Sequence, residues 1–436
     1  MYSETEIEPQ EVVVTGVGVV CAGTLGAQAL FDRLAGGQTL IRDNAELTSM
    51  GFGNPACAFV DEVTWSRVDA LIGQVEPEWG GQTRLAMAAA TMAWQQAGLG
   101  GSVENHGGVF LASNRQLFDE HAIAELAPML DVHGESIDFD AYLDALVEAD
   151  RRSIEHHYFH KQQDLATLAL ARRFGLQEHH GAHGEACAAG AMAIGAAAQQ
   201  IRSGLIDVAL AGATETPCNF MTFVAFNGVG ALADGSSVQG AAISRPFDRE
   251  RYGFVMGEGS AFLVLESAEH ARQRGARILA RVKGFAGVLE AHRITSSDAD
   301  GTEYARCIRL ALEDAGLTPA DIDHVNAHGT STPTNDACEA MALKQVFGER
   351  IGQVPVTANK SALGHSLANS GAVEAVLSVL SLENQLLLPT ANYCEPDEAC
   401  SGLDVVTQPR PMKVRRVLSN SFGFGGANVS LILEAA

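Results

Sequence analysis

The stretch HGEACAAG, residues 183–190, decides how the rest of this chain is read. It sets one cysteine, Cys187, between a short small-residue approach and an Ala/Gly-rich run that the sequence predicts to be a helix over about 188–203. A thiol at a helix N-terminus lies at the positive end of the macrodipole, beside unpaired backbone N–H groups, and both effects favour thiolate over thiol. The plainer reading is a small buried hydrophobe, because free cysteine is among the most buried residue types. The flanking chain has to decide between nucleophile and packing residue.

Working outward, apolar β-branched runs alternate with helical patterns. EVVVTGVGVV at 11–20 reads as a buried strand, with an amphipathic helix at Ala27–Ala35 behind it. A helix at 83–97 leads through Gly98 to a strand at 108–112. Residues 118–150 are acidic and helix-leaning, and 153–174 form a stronger helix pattern stopped by Gly175. Past Cys187 come a strand in IDVALAG at 206–212 and, from the turn-rich SRPFDRERYGFVMGEG, a strand ending at Glu266. The pattern then recurs: strand 277–285, helix Thr302–Ala315, strand 322–327, strand 354–360, and a small-residue helix opened by His365 as the earlier one is by Cys187. Both halves close on a Gly-then-strand segment, GEGSAFLVLE at 257–266 and GFGGANVSLILE at 423–434. The sequence therefore predicts an internally duplicated α/β unit built on a parallel sheet, with halves 1–270 and 271–436 in one rigid body.

Composition narrows the function class. The chain has 436 residues, 47% hydrophobic, only 19% charged and with 45 glycines, which suits a large, tightly packed α/β core. A formal net charge of -24 argues against nucleic acid and against anionic membrane surfaces as bulk partners. The eight cysteines are scattered with no CxxC pair, a pattern of reducing compartments rather than of a disulfide framework. The start, MYSETEIEPQ, is acidic and polar, unlike a signal peptide, and no apolar run reaches the roughly 18 residues of a membrane span. The expectation is a cytoplasmic protein.

Three further motifs carry chemistry. VNAHGTST at 325–332 sets His328 just past a strand, where ligands of α/β sheets bind. NKSALGH at 359–365 sets Lys360 and His365 around a Gly turn, and SNSFGFGGAN at 419–428 is a Gly-rich loop. Singly, each has a structural explanation: a satisfied histidine, a surface lysine, a β-turn. Together, a thiol, two histidines and a lysine in a duplicated α/β unit point to thiolate chemistry assisted by imidazoles.

At this point the chain resembles the β-ketoacyl synthases (ketosynthases) of fatty-acid and polyketide assembly, from VTGVGVV at 14–20 to SFGFGGAN at 421–428. The resemblance implies a thiolase-like fold, two pseudo-duplicated halves in a layered αβαβα arrangement. It implies a decarboxylating condensation in which Cys187 carries an acyl group and His328 and His365 stabilise the enolate of a malonyl unit. Lys360 and Glu374 would hold the histidines, and the backbone N–H groups of Cys187 and Phe424 would hold the oxyanion, with Phe424 as a gate. Thr330 and Thr332 resemble the pair that contacts a phosphopantetheine arm, and Phe226 an aromatic position of the acyl pocket. No cofactor is implied beyond the phosphopantetheine of an acyl carrier protein. The implied partners are that carrier and a second subunit, either a copy of this chain or a ketosynthase-like chain-length factor.

Departures from the family pattern are informative. Glu185 replaces a common Thr two residues before Cys187, close enough to raise its pKa by like-charge repulsion. ASNRQL at 112–117 replaces a small-residue pocket segment and brings Arg115 towards the acyl tunnel. VEPEWGGQ at 75–82 stands where a basic carrier-docking cluster is expected. These favour a polyketide, polyene or other specialised ketosynthase. The alternatives are fatty-acid elongation, a non-elongating decarboxylase or acyltransferase, and a scaffold subunit. A metal site on His156 and His160, with His157 beside them, or on His179, His180 and His183 with Cys187, is the weaker rival, because neither set is a complete ligand sphere.

Overall fold

The computed structural model describes residues 9–100, 106–114, 138, 140, 163–233, 237–295, 297 and 300–436. Eleven strands form one path: β1 (Val12–Cys21), β2 (Gly107–Ala112), β3 (His179–His183), β4 (Val208–Glu215), β5 (Gly259–Ser267), β6 (Ala280–Leu289), β7 (His324–Asn326), β8 (Pro355–Thr357), β9 (Asp404–Val405), β10 (Arg416–Phe422) and β11 (Ala427–Ala435). The helices that matter for the site are α1 (Ala27–Ala35), α2 (Gly81–Ala97), α3 (Gln163–Phe174), α4 (Ala189–Arg202), α5 (Phe220–Gly228), α6 (Thr302–Ala315), α7 (Pro333–Phe347) and α8 (Ser370–Asn384).

The strand order repeats. In the first half it is β1-β5-β4-β2-β3, and in the second β6-β11-β10-β7-β8-β9. Each half begins with two antiparallel pairings and continues with parallel ones. The purely parallel sheet expected from strand–helix alternation is therefore corrected to a mixed one. β5 and β11 each run antiparallel to both of their neighbours. β11 follows β10 through the tight turn at 423–426, whereas β5 follows β4 after a long connection that contains α5. β1 and β6 join the halves through Val13↔Arg281 and Val14↔Ala280. Both strands carry a register shift at the same point, Val14/Gly16 and Val282/Gly284. At each, a glycine lets a helix lie against the strand: a Cβ on Gly16 would meet the Ala93 carbonyl oxygen at 2.1 Å, and one on Gly284 that of Ala311 at 2.5 Å.

Alternation along the strands sorts the core into layers. Val109 and Leu111 of β2, Val208 and Leu210 of β4, and Phe262 and Val264 of β5 pack outward against α2 and α3. Phe110, Ala209, Ala211, Leu263 and Leu265 face inward to α4 and α8. Leu418 and Ile432 face α6 and α7 on the other side, while Val417, Leu431 and Leu433 share the central layer. The order helix–sheet–helix–sheet–helix is the expected αβαβα arrangement.

Small residues let the two central helices touch. A Cβ on Gly190 would meet the Ala368 carbonyl oxygen at 2.4 Å, and one on Gly371 would meet the Ala191 nitrogen at 2.8 Å. Both helices start alike, from a single 3₁₀ turn, Ala186–Ala188 and Leu367–Asn369. Each turn begins with a non-glycine residue in the left-handed region, Ala186 at φ 48 and Leu367 at φ 47. Such conformations persist only where the surroundings impose them.

Several boundaries differ from the sequence reading. The strand expected over 354–360 stops at Thr357, and Lys360 opens a short helix, Lys360–Leu363. Ser419–Phe422, read as loop, belong to β10, which leaves only 423–426 as the turn. The 277–285 strand lies over Ala280–Leu289. β3 and α7 carry no clear period and were not expected. The 118–150 segment, and 153–162 of the next helix, lie outside the described residues.

Candidate active site

Four turns meet at the ends of the central elements. Cys187 sits in the 3₁₀ turn between β3 and α4, His328 just past β7, Lys360 and His365 between β8 and α8, and Phe424 in the turn joining β10 to β11. His365 Nε2 lies 3.2 Å from Cys187 Sγ. The His328 and His365 rings stand edge to face, 5.4 Å between centroids and 85° apart. Cys187, both histidines and Lys360 are buried, and the sulfur and both rings line a cavity of about 590 Å³ counted out to its open mouth.

The charges are arranged around His328. Lys360 Nζ makes three contacts, 2.6 Å to Glu374 Oε1, 2.7 Å to the His328 carbonyl oxygen and 3.2 Å to His328 Nδ1. An ammonium has three donors and no acceptor, so His328 Nδ1 must accept and its proton must sit on Nε2. Glu339 accepts the backbone N–H groups of His328 at 2.9 Å and Gly329 at 2.8 Å, and the Asn420 side-chain amide at 3.2 Å. Sequence reasoning missed Glu339 because it lies on α7; the only signal was its place eleven residues after His328. Burial, then the Lys360 charge, hold both histidines well below the ordinary imidazole range, so both are neutral donors near pH 7.

Burial pushes the Cys187 thiol up to about 11, against the Lys360 charge and backbone hydrogen bonds from Phe424 and Cys187 itself. Those two N–H groups are the pair expected to hold an oxyanion. The like charge that raises the thiol is Glu215, buried at the end of β4 and pushed up to about 8 by desolvation. The role expected of Glu185 is corrected accordingly: that carboxylate pairs with His183 Nδ1 at 3.4 Å, which also draws His183 into a pair of its own.

The remaining residues line the same cavity. Phe226 stacks on Phe424 at 6.3 Å and meets Phe254 edge-on, and Phe254 in turn contacts His365. Thr330 and Thr332, which share a hydrogen bond of 2.8 Å, also line the cavity. Arg115, His156, His157 and His160 lie outside the described residues. Among the described residues, no group of three His, Cys, Asp or Glu side chains is placed to hold a metal ion, and no helix is long and apolar enough to cross a membrane.

A duplicated αβαβα fold that converges a thiol, two neutral imidazole donors and a pair of oxyanion-facing N–H groups defines a thiol-dependent condensing acyltransferase. Comparison with known proteins agrees. Residues 9–271 match the family model of the beta-ketoacyl synthase N-terminal domain and 279–394 that of its C-terminal domain. The chain belongs to the beta-ketoacyl synthase family. It is 36% identical to a Streptomyces halstedii protein named as polyketide beta-ketoacyl synthase 1, covering 97% of this chain and 98% of that one. It is 32% identical to the 3-oxoacyl-[acyl-carrier-protein] synthase 2 of Coxiella burnetii, over 98% of this chain and 99% of that one. Among solved structures it superposes with TM-score 0.85 and 33% identity, covering 98% of this chain and 100% of the other, on a chain of a type II polyketide acyl-carrier protein complexed with its ketosynthase bound to the hexaketide. With the ishigamide ketosynthase/chain length factor the TM-score is 0.83 at 32% identity, with 98% and 100% covered.

Proposed function

We propose that this chain catalyses decarboxylative Claisen condensation of a Cys187-bound acyl group with a malonyl unit on an acyl carrier protein, in polyketide or similarly specialised acyl assembly. The observation that carries the reading is the convergence of Cys187 Sγ and the two imidazoles in one cavity, with Lys360 fixing the His328 tautomer. In the first half-reaction the Cys187 sulfur attacks an acyl thioester, and the carrier sulfur leaves with the proton. In the second, Nε2–H groups of His328 and His365 donate to the malonyl thioester oxygen while the carboxylate leaves as CO2. The enolate carbon then attacks the Cys187 thioester, whose oxyanion rests on the backbone N–H groups of Cys187 and Phe424, and the sulfur is released.

Thr330 and Thr332 contact the phosphopantetheine arm, Phe226 bounds the acyl chain and Phe424 gates it. No bound cofactor takes part. The halves 1–270 and 271–436 work as one rigid unit, and the functional assembly pairs this chain with a second ketosynthase-like subunit. Similarity to the polyketide relatives and to the two complexes supports an acyl carrier protein and a ketosynthase-like subunit as partners.

Incubation with acyl and malonyl carrier proteins tests the reading. An intact-mass adduct on Cys187 that vanishes in Cys187→Ala, followed by a β-ketoacyl product, is expected. CO2 release with no carbon–carbon bond formed would instead identify a decarboxylase.

A further inference from the structure

Lys360 fixes the tautomer of His328, but among the described residues no cation reaches the corresponding nitrogen of His365. A serine hydroxyl does: Ser370 Oγ lies 2.8 Å from His365 Nδ1. A hydroxyl can donate or accept, so the direction of that bond is set farther back. Ser370 Oγ lies 3.4 Å from Ser366 Oγ, and Ser366 Oγ accepts the Asn369 side-chain N–H at 3.4 Å. With the Asn369 N–H directed at Ser366 Oγ, the Ser366 proton is left to point at Ser370 and the Ser370 proton at His365 Nδ1. The Asn369 side-chain oxygen is the buried atom of the relay without a partner among the described residues. The opposite direction would give Ser366 Oγ two donors and leave its own proton without an acceptor among the described residues. Burial leaves no water to substitute: Asn369 is 0% exposed, Ser370 1%, His365 2% and Ser366 6%.

We propose that Ser370, oriented by Ser366 and Asn369, is the positioning residue that holds His365 with its proton on Nε2, facing Cys187. His365 is then a hydrogen-bond donor in both half-reactions and never the base that takes the Cys187 proton. In acylation that proton leaves on the carrier sulfur: the carrier carbon–sulfur bond breaks as the Cys187 carbon–sulfur bond forms. The two halves of the fold thus solve the same problem differently, with an ammonium behind His328 and a hydroxyl relay behind His365.

The proposal rests on the condensing-enzyme reading, yet its test needs no substrate. The readout is ring-nitrogen NMR of the full chain labelled with 15N-histidine, with His365 assigned by its loss in His365→Gln. The expected result is one neutral tautomer protonated on Nε2, a tautomer mixture in Ser370→Ala, and restoration in Ser370→Thr. The condensation kcat of Ser370→Ala should fall roughly tenfold, less than the 10²–10³-fold of losing a whole donor, while acylation of Cys187 is retained. If Ser370→Ala does not fold, Ser366→Ala removes the orienting partner and should also give a mixture. A wild-type signal protonated on Nδ1, or a tautomer unchanged in both variants, overturns the proposal. Absence of an acyl adduct on wild-type Cys187 would instead overturn the condensation reading and leave the tautomer result standing.

Discussion

Near neutral pH the resting sulfur of Cys187 is a thiol, because burial outweighs the Lys360 charge and the backbone N–H groups beside it. Reactivity towards a small alkylating reagent should therefore climb with pH through 7–10 without levelling, and vanish in Cys187→Ala; a plateau near pH 7 would mean a far more acidic thiol. The same lysine is bound up with stability. Lys360 and Glu374 form an ion pair of 2.6 Å with side chains 2% and 1% exposed. Burial raises Glu374 to about 7 even beside Lys360. At pH 8, where the carboxylate is charged, Lys360→Met therefore leaves it without its counter-charge and should cost about 3–5 kcal/mol. Lys360→Met combined with Glu374→Gln should recover most of that loss. Urea denaturation of the single and double variants measures it, and equal losses in the two would show that Glu374 carries no charge there.

At the scale of elements, function depends on two helices approaching backbone to backbone. α4 carries the Cys187 turn and α8 the His365 turn, and Gly190 and Gly371 hold them together. Gly371→Ala puts a methyl group 2.8 Å from the Ala191 nitrogen, so one helix must shift. A loss of about 1–3 kcal/mol follows, and the Cys187–His365 distance opens with it. The expected result is a lower melting temperature together with slower acylation, whereas Gly348→Ala, with open space around it but a left-handed φ of 57, lowers stability alone.

These elements also show what the chain reveals unaided. The sequence places α1 and α6 close to their observed bounds, because their amphipathic periods and Gly ends are local signals. β1, β4 and β5 were found as apolar runs, but their pairing directions were not, because direction depends on the return path. β3, His179–His183, is an edge strand of histidines and small residues with no apolar alternation to announce it. Cys187, His328, Lys360, His365, Glu374 and Phe424 were legible because each sits in a motif of special residues. Glu339 and Ser370 were not, because a buried carboxylate or hydroxyl on a helix looks like surface polarity until the fold turns it inward.

The molecule as a whole is a strongly acidic chain that buries carboxyls, and its pH response follows. Burial raises Glu215 to about 8 and Glu258, Glu339 and Glu374 to about 7, from an ordinary 4.5. For each, the native state holds a proton that the unfolded chain has released, so stability falls as pH rises towards the native pKa. Burial also lowers His324 to about 3 and holds His328 and His365 well below 6.5. For these the unfolded chain binds the extra proton, and stability rises with pH until about 6.5. Between roughly pH 4.5 and 6.5 four carboxyls oppose three histidines, so most of the effect cancels and a shallow fall with pH remains. Above that the histidines no longer change, while the carboxyls continue to titrate up to about 8. Stability should therefore drop by about 2–3 kcal/mol between roughly pH 6.5 and 8.5, about 3 °C in melting temperature for a chain of this size. Calorimetry at constant ionic strength reads it directly. Glu215→Gln should remove about half of the slope, because its native pKa lies highest. A melting temperature that rises across the same interval would mean that the buried carboxyls are ionised in the native state.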